Sequence, residues 1–176
     1  MHTKPIGVFF GSTTGNTEDA AQYIARALCD RTDGPAVKTF DICGMPPERL
    51  LAFDVLILGC PTWDEGQLQS DWNRLLERLG EARFDGKKIA LFGSGDAASY
   101  PETFQDAMGI LGKTLRERGA TLIGAWPTEG YIFQASKAVE NGKFLGLALD
   151  IANTGCELRE LSARWAEQLL KELAAR

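Results

Sequence analysis

Apolar residues follow two rhythms along this chain. Short continuous apolar runs alternate with stretches in which apolar side chains recur every three or four positions. Residues 5–10, Pro-Ile-Gly-Val-Phe-Phe, read as a strand buried on both faces. From Asn16 to Cys29, Ala21, Ile24, Ala25 and Leu28 repeat at helical spacing. Val37–Phe40 is a second, weaker strand, and Pro46-Pro47 breaks the regular pattern after it. Phe53–Gly59 (FDVLILG) is the strongest central strand, ending at Cys60-Pro61. Leu68–Leu79 predicts a helix with Trp72, Leu75, Leu76 and Leu79 on one stripe. Lys88–Phe92 is a fourth strand, and Thr103–Arg118 a helix through Ala107, Ile110, Leu111 and Leu115. Leu122–Ala125 opens a fifth strand. The last helix, Leu158–Leu173, turns Leu161, Trp165, Leu169 and Leu173 inward.

Strand and helix alternating in this order predict an α/β fold, a doubly wound five-stranded parallel sheet with helices on both faces. Right-handed crossovers then settle most of the topology. One stretch breaks the rhythm. Trp126–Phe144 (WPTEGYIFQASKAVENGKF) is neither a helix nor a simple turn, and apolar Leu145–Leu149 follows it. It reads as a long insertion interrupting the last strand, and connections of that length are often functional. Residues 1–176 otherwise read as a single domain.

Composition narrows the class. With 44% hydrophobic and 24% charged residues, the chain is ordinary for a soluble globular protein. No run approaches the length of a membrane span. Met1-His2-Thr3-Lys4-Pro5 lacks the apolar stretch of a signal peptide, so a cytoplasmic location is expected. A net charge of −5 argues against general nucleic-acid binding. Cys29, Cys43, Cys60 and Cys156 are widely spaced and read as reduced packing residues; neither a disulfide framework nor a metal site is expected. Cys60 stands out because it closes an apolar run beside a candidate site. Between Arg49 and Arg74 the only charges are Asp54, Asp64, Glu65 and Asp71, and between Lys88 and Lys113 only Asp96, Glu102 and Asp106. These windows read either as ordinary solvated surface or as an acidic docking face for a basic partner.

In a doubly wound sheet, ligands sit beyond the carboxyl ends of the strands where strand order reverses. The loops after strands one, three and four converge there. Gly11-Ser12-Thr13-Thr14-Gly15-Asn16-Thr17 has four hydroxyls and leads straight into a helix. Helix-start amides and hydroxyl donors make an anion site. An ordinary capped helix needs one Ser or Thr, not four. There is neither G-x-x-x-x-G-K-[ST] nor G-x-G-x-x-G, so the loop suits one terminal phosphate held without a cation. Pro61-Thr62-Trp63-Asp64-Glu65-Gly66 places a tryptophan at the strand mouth, which serves either packing or a flat ligand. Gly93-Ser94-Gly95-Asp96-Ala97-Ala98-Ser99-Tyr100 is a second Gly-rich, flexible approach with a second aromatic. Two aromatics beside an anion cradle imply a flat ring with a phosphate tail.

GSTTGNTE, PTWDEGQLQSDW and GSGDAASYPETFQDAMG together resemble the three flavin-contacting loops of the flavodoxins, and the resemblance runs along essentially the whole chain. WPTEGY and FLGLALD resemble the long-chain subgroup. The resemblance implies the strand order 2-1-3-4-5 and non-covalent FMN as cofactor. By the family pattern, Ser12, Thr13, Thr14, Gly15, Asn16 and Thr17 hold the phosphate, and Trp63 and Tyr100 cover the two ring faces. Pro61, Thr62, Asp64, Glu65, Gly66, Ser94, Gly95 and Asp96 would lie near the ring edge, with Thr103 and Gln105 as further contacts. The implied activity is low-potential one-electron transfer between redox proteins, cycling between semiquinone and hydroquinone, by a monomeric carrier. The implied partners are a reductase and, from likeness to flavodoxins of nitrogen-fixing bacteria, the nitrogenase iron protein.

Three positions depart from the family pattern. Asn16 stands where some relatives carry a basic residue. Asp64-Glu65 has no glycine at the peptide that rotates toward the reduced ring, so more moderate semiquinone stabilisation is expected. Ala152 stands where some relatives have an acidic residue. No residue in the loops reads as a catalytic acid, base or nucleophile, which favours a carrier over the alternative, an FMN reductase acting on quinones or nitro compounds.

Overall fold

The apolar runs are buried on both sides because helices flank them. The computed structural model describes residues 4–31, 36–151 and 157–175. β1 (Ile6–Phe10) is buried at every position and leads to α1 (Asn16–Cys29), β2 (Val37–Asp41) and a short helix α2 (Glu48–Leu51). β3 (Val55–Trp63) turns back through β4 (Gln67–Leu68) into α3 (Ser70–Leu79). β5 (Lys88–Gly95), α4 (Asp106–Glu117) and β6 (Thr121–Ile123) follow. The insertion holds β7 (Trp126–Pro127), β8 (Val139–Glu140) and β9 (Lys143–Phe144), and the chain ends with β10 (Leu147–Asp150) and α5 (Leu158–Ala174).

Parallel ladders give the order β2-β1-β3-β5, with both β6 and β10 beside β5. With the short β4 hairpin set aside, this is the expected 2-1-3-4-5 sheet. Its last position is shared: β6 pairs with Lys88–Ala90 and β10 with Phe92–Gly95. The insertion therefore interrupts the last strand, as expected, and is itself ordered. β7, β9 and β8 form a small antiparallel sheet. Phe104, Tyr131, Phe133 and Phe144 pack together with centroids 5.1–6.1 Å apart. The Tyr131 hydroxyl accepts from Trp126 Nε1 at 3.0 Å and donates to the Ala148 carbonyl at 2.7 Å, which ties the insertion to β10.

Several boundaries differ from those the sequence predicts, each for a local reason. The fifth strand stops at Ile123, not Ala125, because Gly124 turns at φ +79° and its carbonyl accepts from the Trp165 indole at 2.7 Å. Pro46-Pro47 does not end regular structure: Pro47 caps α2, since the first turn of a helix needs no proline N–H. The third helix starts at Ser70, not Leu68, because Gln67 and Leu68 pair with Trp63 and Thr62. The fourth starts at Asp106, not Thr103, because Gln105 holds a left-handed conformation at φ +63°. β3 does not end at Cys60-Pro61 but continues to Trp63; β1 stops opposite Gly59, so the missing proline N–H falls where one neighbour has already left. Gly93, Ser94 and Gly95 are buried strand positions, not a flexible loop. Gly93 is small because the Gln105 side chain lies against it. Of the inward-facing residues named for the last helix, Trp165 and Leu169 are buried, while Leu161 and Leu173 pack at the margin of the core.

Candidate functional site

The turn after β1 opens into α1 with unused donors. Gly15 sits at φ +91°, a conformation that costs glycine little, and no side chain caps the helix. Ser12 Oγ accepts from Gly15 N at 3.1 Å, and Asn16 Nδ2 reaches Thr14 Oγ1 at 3.4 Å. Among the described residues, the backbone N–H groups of Thr13, Thr14, Asn16 and Thr17 find no protein acceptor. Thr13, Thr14 and Asn16 are exposed. Converging amides at the positive end of a helix, with hydroxyls and no cation, fit a phosphate monoester.

The neighbouring strand ends carry the aromatics. Trp63 closes β3 at 37% exposure, and Tyr100 follows β5 at 50%. Both are among the few large side chains this open, and both leave from adjacent strands paired as far as Pro61 and Ser94. A cleft of about 280 Å³ is lined by Thr13, Trp63, Asp64, Gln69 and Asn73. Asp64 turns at φ +45° and Gly66 at φ +92°, so the β3–β4 hairpin already holds a left-handed aspartate, a type that tolerates this region. Exposed aromatic walls next to an anion turn fit the ring-and-phosphate shape of FMN.

The predicted residues divide into a front and a frame. Thr13, Thr14, Asn16, Trp63, Asp64, Glu65 and Tyr100 are exposed. Thr17, Pro61, Gly66, Ser94, Gly95 and Gln105 are buried. Thr17 Oγ1 and Ser94 Oγ share a buried 2.8 Å hydrogen bond that pins the start of α1 to β5. Thr62 Oγ1 accepts from Ala107 N at 3.4 Å. A Cβ on Gly66 would meet Thr103 and Asp106, so the hairpin packs against the start of α4. Gln105 Nε2 donates to the Leu149 carbonyl at 3.1 Å and lies inside the β5–β10 seam. Two residues that the sequence pattern does not single out also belong here. Gln69 is buried and bonds Thr13 Oγ1 at 3.2 Å, and Asp150 accepts from Ala97 N at 3.3 Å. Ala152 lies outside the described residues.

Charge is arranged less simply than the two acidic windows suggest. Asp54 stands at the opposite end of β3 and pairs with Lys4 at 2.6 Å. Asp106 is buried, bonded to Lys137 Nζ at 2.8 Å. Neither joins a rim around the strand ends, where Asp64, Glu65, Asp71, Asp96 and Glu102 remain. The Ser99 backbone amide, followed by the Ser99 hydroxyl and the Ala98 amide, holds the Asp96 carboxyl below its ordinary range. Burial pushes the Cys60 thiol up to about 12, so it is an inert packing group. Cys29 and Cys43 are exposed free thiols, and Cys156 lies outside the described residues. Among the described residues, no cluster of His, Cys, Asp and Glu could hold a metal ion, and no helix is long and apolar enough to cross a membrane.

A doubly wound sheet with an anion turn and two open aromatics at its switch point is the arrangement of a mononucleotide-binding protein. The comparisons with known proteins place it further. The flavodoxin family model matches residues 8–165. A flavodoxin of Picosynechococcus is 46% identical over 164 residues, covering 93% of this chain and 95% of its own. A flavodoxin of Trichodesmium erythraeum is 47% identical over 169 residues, covering 95% and 96%. The crystal structure of Fusobacterium nucleatum flavodoxin bound to flavin mononucleotide superposes with a TM-score of 0.88 at 29% identity, covering 97% of this chain and 99% of that one. The chain belongs to the flavodoxins, electron-transfer proteins rather than enzymes.

Proposed function

We propose that this chain binds FMN non-covalently as one unit and carries single electrons at low potential between redox proteins. The observation that carries the reading is the uncapped start of α1, whose free amides and hydroxyls suit a phosphate without any cation. Bound FMN supplies reversible one-electron chemistry. The protein's residues do the rest. Ser12 to Thr17 would hold the phosphate, and Trp63 and Tyr100 would wall the ring. The hairpin Asp64-Glu65-Gly66 and the segment Ser94-Gly95-Asp96 would border its edge, with Thr62, Thr103 and Gln105 bracing them from behind. Covered faces exclude water and leave little room for a second substrate. Asp64, Glu65 and Asp96 put fixed negative charge at the strand ends. At an effective dielectric of about 20, a carboxylate roughly 10 Å from a developing negative charge costs on the order of 1–2 kcal/mol, which lowers the potential at which the last electron is accepted.

Donation to nitrogenase iron protein, with supply from a reductase, rests on likeness to flavodoxins of nitrogen-fixing bacteria and on the acidic strand ends. Mixing the yellow protein with NADPH tests the carrier against a reductase. A carrier keeps its visible absorbance until a separate reductase is added, whereas direct bleaching followed by quinone turnover would make it an enzyme.

A further inference from the structure

Each hydroxyl on the exposed part of the anion turn already accepts a hydrogen bond from a neighbouring N–H. Ser12 Oγ takes the Gly15 amide, and Thr14 Oγ1 takes Asn16 Nδ2. Thr13 Oγ1 takes Nε2 of Gln69, 56 residues away. A hydroxyl whose lone pair is engaged this way keeps its single proton free to donate outward. An anion with no cation beside it needs donors only.

Gln69 is unusual in its setting. It is buried, at 3% exposure, and its second donor contact is to Asp71 Oδ2 at 3.1 Å. Its Oε1 is buried with no hydrogen-bond partner. That oxygen occupies the space a Cβ on Gly11 would take, so the carboxamide is wedged under the first residue of the turn. A buried, unpaired carbonyl costs stability, and its retention points to work done by the other end of the group. Asn73 Nδ2 donates to the Leu68 carbonyl at 3.1 Å, which holds the backbone just before Gln69.

We infer that Gln69, which follows the β3–β4 hairpin and is not among the residues the family pattern assigns to the cofactor, is a positioning residue that commits the Thr13 hydroxyl as a donor to the ligand's phosphate. The assignment rests on the FMN reading of the site and concerns only its phosphate half. Riboflavin, which has the ring and no phosphate, is the matched probe.

Apoprotein carrying Gln69→Met, which keeps length and loses the donor, is titrated with FMN and with riboflavin. The preference for FMN over riboflavin falls about tenfold, while riboflavin affinity stays within about twofold of the parent. In a Thr13→Val background the same substitution produces no further fall, because the hydroxyl it positions is gone. If the methionine variant does not fold, judged by circular dichroism, Gln69→Glu keeps the shape and replaces the donor with an acceptor; its FMN preference falls at least as far. Equal losses for both ligands, an unchanged preference, or a fall that persists in Thr13→Val would show a merely structural role and overturn the assignment. A parent protein with no preference for FMN over riboflavin would defeat the cofactor reading as well.

Discussion

Trp63 closes the central strand at 37% exposure beside the anion turn, which leaves an aromatic face open to a flat partner. Trp63→Ala is expected to weaken FMN binding by about 10- to 100-fold and to raise flavin fluorescence, since stacking on an aromatic face contributes roughly 1–3 kcal/mol. A titration followed by flavin emission checks this, and unchanged affinity and quenching would remove the stacking role. Asp96 yields a pH prediction. Its carboxyl is held below the ordinary range by the Ser99 and Ala98 groups, so the folded state binds its proton later than the unfolded state. Its stabilisation is therefore complete above the unfolded value near 4 and is lost as pH falls through the folded one. Thermal melts of parent and Asp96→Ala should differ by a constant amount near neutrality and converge below about pH 4. At this scale the candidate site was legible where residue type and position advertise it, in the turn, the tryptophan and the tyrosine. The roles of Gln69 and Asp150 were not, because they depend on contacts to Thr13 and Ala97 that only folding creates.

At the scale of elements, the edge of the sheet carries the clearest test. β6 and β10 share one flank of β5, and the chain re-enters at Gly146 directly against the Leu91 carbonyl. Gly146→Ala would drive a methyl into backbone that cannot swing away, costing about 1–3 kcal/mol. Urea denaturation should show a lower midpoint with an unchanged slope; an unaltered midpoint would mean the two backbones are not in close contact. Long, strongly periodic elements were readable in the sequence: β1, α1 and α5 start where their apolar patterns do. The boundaries that moved were set by particular partners. Leu68 joined a hairpin because Thr62 lay opposite, Gly93 to Gly95 extended β5 because β10 offered a ladder, and Gly124 ended β6 on the Trp165 indole. The insertion was visible as a break in rhythm, but its three short strands depend on an aromatic cluster assembled from Phe104 and from Tyr131 to Phe144, which no local pattern reveals.

For the whole molecule, the net charge of −5 is less informative than its placement. Asp54 and Asp106 counted toward the acidic windows, yet one is at the far end of the sheet beside Lys4 and the other is buried against Lys137. Proximity in sequence did not survive folding because a strand carries its two ends to opposite sides of the protein. The remaining carboxylates near the strand ends predict attraction to a basic partner. Electron transfer to such a partner should slow as ionic strength rises, because the screening length shrinks to about 8 Å at physiological salt. Neutralising the hairpin with Asp64→Asn and Glu65→Gln should flatten that dependence in stopped-flow measurements, while Asp54→Asn should leave it intact. Equal effects from both ends would rule out an oriented acidic docking face.

The central claim is that the strand ends hold one FMN by its phosphate and its ring. Titrating the apoprotein with FMN, while following flavin fluorescence, tests it most directly. The account predicts quenching that saturates at one FMN per chain, with riboflavin bound more weakly than FMN. Flavin emission that remained that of the free compound at every protein concentration would contradict it.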